Sequence, residues 1–156
     1  MAKKKDKKAK KDTPQFGKKI DGHVYESRKS VYGIAFNDSG QILVARARGK
    51  VVLPGGGVEG GEGRKKALRR EALEETGHPI EIIRKIGRAN EYSISRRRRQ
   101  ANNKKATFYL VEAGEQVHPP TPPPPTPEWM DVAKAMPRFK SEFFRWAVEQ
   151  VMETAS

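Results

Sequence analysis

The chain has 156 residues, no cysteine and a formal net charge of +13 at pH 7. That length suits one hydrophobic core. The missing cysteines exclude a disulfide framework and a thiol nucleophile, and no apolar run reaches membrane-span length or forms the apolar centre of a secretory signal. A soluble, cytoplasmic protein with no membrane partner is expected, its oligomeric state unknown.

In chain order, residues 1–19 hold nine Lys and two Asp and so carry +7 of the charge. This lysine-rich tail has too little apolar surface to offset its ordering entropy and is expected to be disordered. It reads either as a contact for RNA or another polyanion or as a solubilising tail. Val31–Phe36 and Gln41–Ala45 are β-rich runs separated by Asn37-Asp38-Ser39-Gly40, a turn signal, which predicts a hairpin. Arg46 and Arg48 follow and are candidates to face a substrate phosphate; Val51-Val52-Leu53 is a short strand, and Pro54 opens a dense glycine loop from Gly55 to Gly63.

Arg64 to Thr76 lacks Gly and Pro, is rich in Ala, Leu, Glu, Lys and Arg, and ends at Gly77, which predicts a helix fed by that loop. At 100° per residue Leu68, Ala72, Leu73 and Thr76 share an arc facing a core, while Glu71, Glu74 and Glu75 share a second. An acidic face exposed to water is the ordinary reading of such charges. Here, however, Glu71 repels Glu74 and Glu75 at roughly 0.2–0.5 kcal/mol per pair. Arg64, Lys65 and Lys66 also sit at the positive end of the helix dipole, each misplacement costing about 0.3–1 kcal/mol. A hard divalent cation with oxygen ligands removes the repulsion, and magnesium is commonly held by a few carboxylates plus substrate phosphates.

Further on, Ile80–Ile86 reads as a strand, and Glu91–Ser95 with Ala106–Val111 as a second hairpin. The connecting loop Arg96–Lys105 carries six basic residues. It is either a solvated tip or a phosphate clamp, with Arg97 and Arg98 as candidate substrate contacts. Residues 118–127 contain seven prolines, a stiff extended connection within the domain. Asp131–Met136 reads as a brief helix stopped by Pro137, and Ser141 as a cap for a last helix with the apolar stripe Phe144, Ala147, Val148 and Val151.

Gly56, Glu62, Arg70, Glu71, Ala72, Glu74, Glu75 and Gly77 fall on the spacing G-x5-E-x7-R-E-U-x-E-E-x-G-U, where U is bulky and apolar. This resembles the Nudix box of MutT-type pyrophosphohydrolases, with every glycine and charged position present. Ala72 is small for its apolar slot and His78 fills the last one, where Ile80 is placed to supply the missing contact. The sequence around Phe16-Gly17-Lys18, Pro54–Gly57, Asn90-Glu91-Tyr92 and Arg145–Val148 is most similar to a small bacterial subgroup of unassigned substrate.

The resemblance implies an α/β (α+β) architecture, the Nudix fold with a mixed β-sheet sandwiched between helices, over residues 25–152, and Glu128-Trp129-Met130 resembles its short final strand. It implies attack of water on a diphosphate of a nucleoside diphosphate linked to another group, with Mg2+ or Mn2+ as cofactor. Glu71 and Glu75 would be metal ligands, joined by the backbone carbonyl of Gly55 or Gly56. Glu74 would be a ligand or the proton acceptor. Arg70 would orient the box carboxylates, and Glu62 and Gly77 would serve the structure of the box. Glu91, Glu112 and Glu115 are candidates for a further carboxylate outside it. Nucleotide, nucleotide sugar, dinucleoside polyphosphate and RNA 5′-end substrates all remain open. The alternative is a non-catalytic nucleotide- or RNA-binding module on the same fold.

Overall fold

The run Val31–Ala35 is buried on both faces, as a central strand requires, and the architecture forms around it. The computed structural model describes residues 13–47, 49–95, 99–119 and 125–155. The lysine tract 1–12, Arg48, Arg97, Arg98 and most of the proline run lie outside the described residues. A five-stranded mixed sheet has the order β1 (Gln15–Phe16), β6 (Ile80–Ser95), β7 (Gln100–Ala113), β2 (Tyr25–Ala35) and β5 (Gly55–Gly57). A three-stranded antiparallel sheet has the order β4 (Lys50–Val52), β3 (Ile42–Ala47) and β8 (Thr126–Met130). The helices are α1 (Arg64–Thr76), α2 (Val132–Ala135) and α3 (Glu142–Ala155), with a 3-10 turn at Met136–Arg138.

The two faces of the larger sheet carry two cores. Val31, Ala35, Tyr109 and Val111 pack with Ala67, Leu68 and Ala72 of α1. Tyr32, Ile34, Ala89, Ala106 and Phe108 pack with Phe143, Phe144, Ala147, Val148 and Val151 of α3. The mixed sheet therefore lies between helices, as expected, and the stripe on α3 is core. On α1 the buried arc includes Ala67, which the helical-wheel reading left out, while Leu73 is only half-buried.

The first hairpin is not formed. The Asn37–Gly40 turn is present, with Gly40 N–H donating to Asn37 O at 2.9 Å and a single bridge from Phe36 to Ile42. Beyond it the strands part into different sheets, because both edges of β2 are taken, by β7 in parallel and by β5 antiparallel. The second hairpin is formed but is tighter and longer than expected. β6 is one strand with irregularities at Ile82/Arg84 and Lys85/Gly87, and its pairing with β7 continues to Ser95 and Gln100. Lys104 and Lys105 therefore belong to β7 and not to a loop.

Three boundaries also shift. Gln15 and Phe16, assigned from sequence to the tail, form β1, because Phe16 packs on Trp146 and Asn90 N–H donates to Pro14 O at 2.9 Å. Thr126 and Pro127 extend β8, an edge strand where a proline costs no ladder bond. Pro137 does not stop the chain's winding, since it enters the 3-10 turn at a position that needs no N–H donor.

Candidate active site

The glycine loop and α1 meet as the sequence pattern requires. Gly77 closes the helix in the left-handed conformation at φ 74°, donating its N–H to Leu73 O. At the other end, β5 runs against β2 so closely that Gly55 takes φ 143°. Glu75 reaches back across the loop, and its Oε1 accepts the Gly55 N–H at 2.8 Å. A Cβ on Gly56 would stand 3.1 Å from the Glu71 carboxylate, so bare backbone is pressed against that group.

Arg70 is the hub of the polar network. Its Nε and Nη2 donate to the two oxygens of Glu62 at 2.8 and 3.0 Å, a fork-to-fork pair. Its Nη1 donates to Glu71 Oε1 at 3.2 Å and lies 3.7 Å from Glu74 Oε2. Glu62 is 10% exposed and Glu74 63%. Glu62 is held below the usual carboxylate range, chiefly by its bond to Arg70.

The other glutamates behave oppositely. Burial pushes Glu75 up to about 8, the Gly55 N–H opposes this, and the charges of Glu71 and Glu74 add to it. Glu71 is also raised by burial, against the pull of Arg70. Among the described residues no three acidic or histidine side chains converge as a ready-made cation cage. Arg70 holds Glu71 near Glu74, and Gly55 holds Glu75. The donors nonetheless suit a hard divalent ion: they are carboxylate oxygens, beside glycine backbone where no Cβ intervenes, and burial holds Glu71 and Glu75 above the usual carboxylate range, which a bound cation would offset.

Arg46 is not drawn to this group; its partner is Glu128 of β8 at 2.9 Å. Glu112, near the end of β7, and Glu115, just past it, are exposed. Glu91 is 6% exposed and caps α3: its Oε1 accepts the Phe143 N–H at 3.2 Å, and Ser141 and the Glu142 N–H bond the same carboxylate. The cap expected from Ser141 is thus supplied across the fold by β6. Glu91→Ala should destabilise the protein by about 2–4 kcal/mol, since it removes a cap and strips Lys104 of its opposite charge across the strands. Glu91→Gln should cost less. Burial raises the Glu91 carboxyl, so its protonation contributes stability at acid pH that is lost as pH rises through the raised value. Urea unfolding at a series of pH values should show that fall in the wild type and a flatter profile in Glu91→Gln.

Sequence reasoning missed a polar surface on the α3 side of the sheet. Strand register places Arg28 beside Lys104 and Tyr32 beside Phe108, and Glu91 across from Lys104. The Arg28 guanidinium approaches Gly57, where a Cβ would lie 3.4 Å from it. Burial pushes the Lys104 ammonium down, and the charges of Lys50 and Arg28 add to this against Glu91. Burial raises the Tyr32 hydroxyl, and Glu75, Glu91 and Glu71 raise it further, so this surface adjoins the box glutamates. Asn102, on the same face, is 7% exposed and its Oδ1 has no partner among the described residues. The alternation of Arg28, Ser30 and Tyr32 was the available signal, but it does not say which face meets the glutamates.

A family model for the NUDIX domain matches residues 26–148. The chain therefore belongs to the Nudix family of hydrolases, which act on phosphate-containing substrates. Among solved structures it is similar to a NUDIX hydrolase from Nitrosomonas europaea, with TM-score 0.63 and 17% identity over 83% of this chain and 90% of that one. It is also similar to a MutT NUDIX hydrolase from Burkholderia pseudomallei, with TM-score 0.58 and 25% identity over 81% and 98%. A third likeness is to the E. coli dihydroneopterin triphosphate pyrophosphohydrolase, with TM-score 0.60 and 21% identity over 81% and 96%. A search of curated proteins finds no significant match.

Proposed function

We propose that the protein is a metal-dependent pyrophosphohydrolase that cleaves a diphosphate bond in a nucleoside diphosphate linked to a second group, using a catalytic unit of residues 25–152. The observation that carries this reading is the seating of Glu71 and Glu75 against the bare backbone of Gly55 and Gly56, with Glu74 beside them. Glu71, Glu75 and a carbonyl of Gly55 or Gly56 would hold Mg2+ or Mn2+, with Glu74 as a further ligand or as the proton acceptor. The bound cation would neutralise diphosphate charge and activate water.

The chain's own groups do the positioning. Arg70 fixes Glu71 and orients Glu74 while anchored on Glu62. Arg28 and Lys104 offer positive charge to phosphate oxygens next to the glycine loop. Asn102 Oδ1 is a buried acceptor that a nucleoside N–H or hydroxyl would satisfy. A module that only bound nucleotide would need none of the three glutamates, and all three are present. The E. coli relative, a triphosphate pyrophosphohydrolase by name, supports a nucleotide-like polyphosphate substrate.

The test is release of phosphate or nucleotide from a panel of nucleoside diphosphate derivatives with magnesium or manganese, beside Glu74→Gln. Turnover that requires the metal and falls in the variant is expected. Salt-dependent binding of nucleotides with no turnover of any panel member would overturn the enzyme reading.

A further inference from the structure

The larger sheet has a second polar region, on the face opposite Tyr32 and Glu91. Beyond the first turn of α1 this face opens into a cleft of about 530 Å³. Four cations from four elements line it: Lys29 of β2, Arg64 of α1, Arg88 of β6 and Lys105 of β7. Their placement follows from strand register. Lys29 is paired with Lys105, Lys105 with Asn90, and Arg88 with Thr107, continuing the face on which Val31 and Tyr109 pack beneath α1.

No described residue lining the cleft balances the charge. No Asp, Glu or aromatic residue is among the described residues lining the cleft. None of the four cations has an ion pair among the described residues. Lys29 and Lys105 are register partners on neighbouring strands, a like-charge pair whose repulsion an anion between them would relieve. Arg64 begins a helix whose cap residue Gly63 offers no side-chain acceptor and whose first turn has no acid, so free N–H groups add to the positive field.

We propose that this cleft binds a condensed phosphate chain, inorganic or carried by a nucleotide, at a site separate from the glutamate centre. Guanidinium and ammonium groups from several strands suit successive phosphates. Without an aromatic platform the cleft cannot stack bases, which argues against single-stranded nucleic acid as the ligand. Its volume lies in the range of small-molecule sites. Thr13, which also lines it, directly follows residues 1–12 with their seven Lys and two Asp.

The full chain should be titrated with tripolyphosphate in EDTA. Metal-free conditions leave the glutamate centre repulsive to phosphate and make binding independent of hydrolysis, and the cleft's share is the part that its own substitutions remove. One-to-one binding that weakens with salt is expected. Arg88→Ala with Lys105→Ala, both at exposed positions, should weaken it about tenfold or more while metal-dependent turnover stays unchanged. Glu75→Gln should bind as the wild type does. A non-hydrolysable nucleoside triphosphate run in parallel separates the sources: equal affinity marks the bare chain as sufficient, and tighter binding marks a nucleotide-borne one. Unchanged binding by the double variant, or complete loss on removal of residues 1–12 alone, would overturn the proposal.

Discussion

Glu75→Gln is expected to lower metal-dependent kcat by a hundred- to a thousandfold or about that, and at the same time to leave the metal-free fold more stable. The two effects have one origin. Glu75 is largely buried, with Gly55 N–H as its hydrogen-bond donor and Glu71 and Glu74 as like-charged neighbours. Its carboxyl is pushed up to about 8, so the folded protein binds that proton more tightly than the unfolded chain does. Stability from the protonated form is complete below the ordinary glutamate value and is lost as pH rises through about 8. Glutamine keeps an oxygen for Gly55 and never ionises, so near neutral pH it should recover roughly 2–3 kcal/mol. Thermal melts in EDTA across pH, set beside kcat with magnesium, measure both effects. Turnover within tenfold of wild type would remove Glu75 from the proposed ligands.

Gly55→Ala should be the most disruptive single substitution in the loop, costing about 3 kcal/mol or more. The added Cβ would lie 2.1 Å from Val31 O and 2.8 Å from Tyr32 Cα, at φ 143° where side chains are strained in any case. Backbone of the central strand cannot step aside as a flexible side chain can. The loss should extend to activity, since displacing Gly55 withdraws the donor on which Glu75 is seated. Gly60→Ala is the control, with nothing within 4 Å of its Cβ. Urea unfolding of both variants decides the matter; equal midpoints would mean that β5 does not hold the loop against β2.

The helix Arg64–Thr76 was legible to the residue, because its start, its composition and the glycine at its end are local properties. The separation of β2 from β3 was not. A turn signal reports that the chain reverses, whereas the choice of partner depends on β7, whose residues pair with β2 across 76 positions of sequence, as Tyr25 does with Ala101. The same distance hid Arg28, which reaches Gly57 of the glycine loop, and Asn102, buried on the same face, because their places depend on which sheet face α1 leaves open. Glu91 was a candidate for a further carboxylate outside the box, and its use as a cap could be seen only with α3 in place. Lys104 looked like a loop residue because the tip of the hairpin is so basic.

The 16-residue strand β6 bears on solubility in a way that net charge does not capture. It lies next to the rim of the larger sheet, and β1 pairs with it only at Asn90 and Glu91. The segment before that carries two register irregularities together with Arg84, Lys85 and Arg88. Interrupted pairing and like charge both deny a second chain a straight ladder to join. Resistance to edge-to-edge aggregation is thus built into β6 itself, and straightening it or neutralising those three cations would open the sheet to self-association.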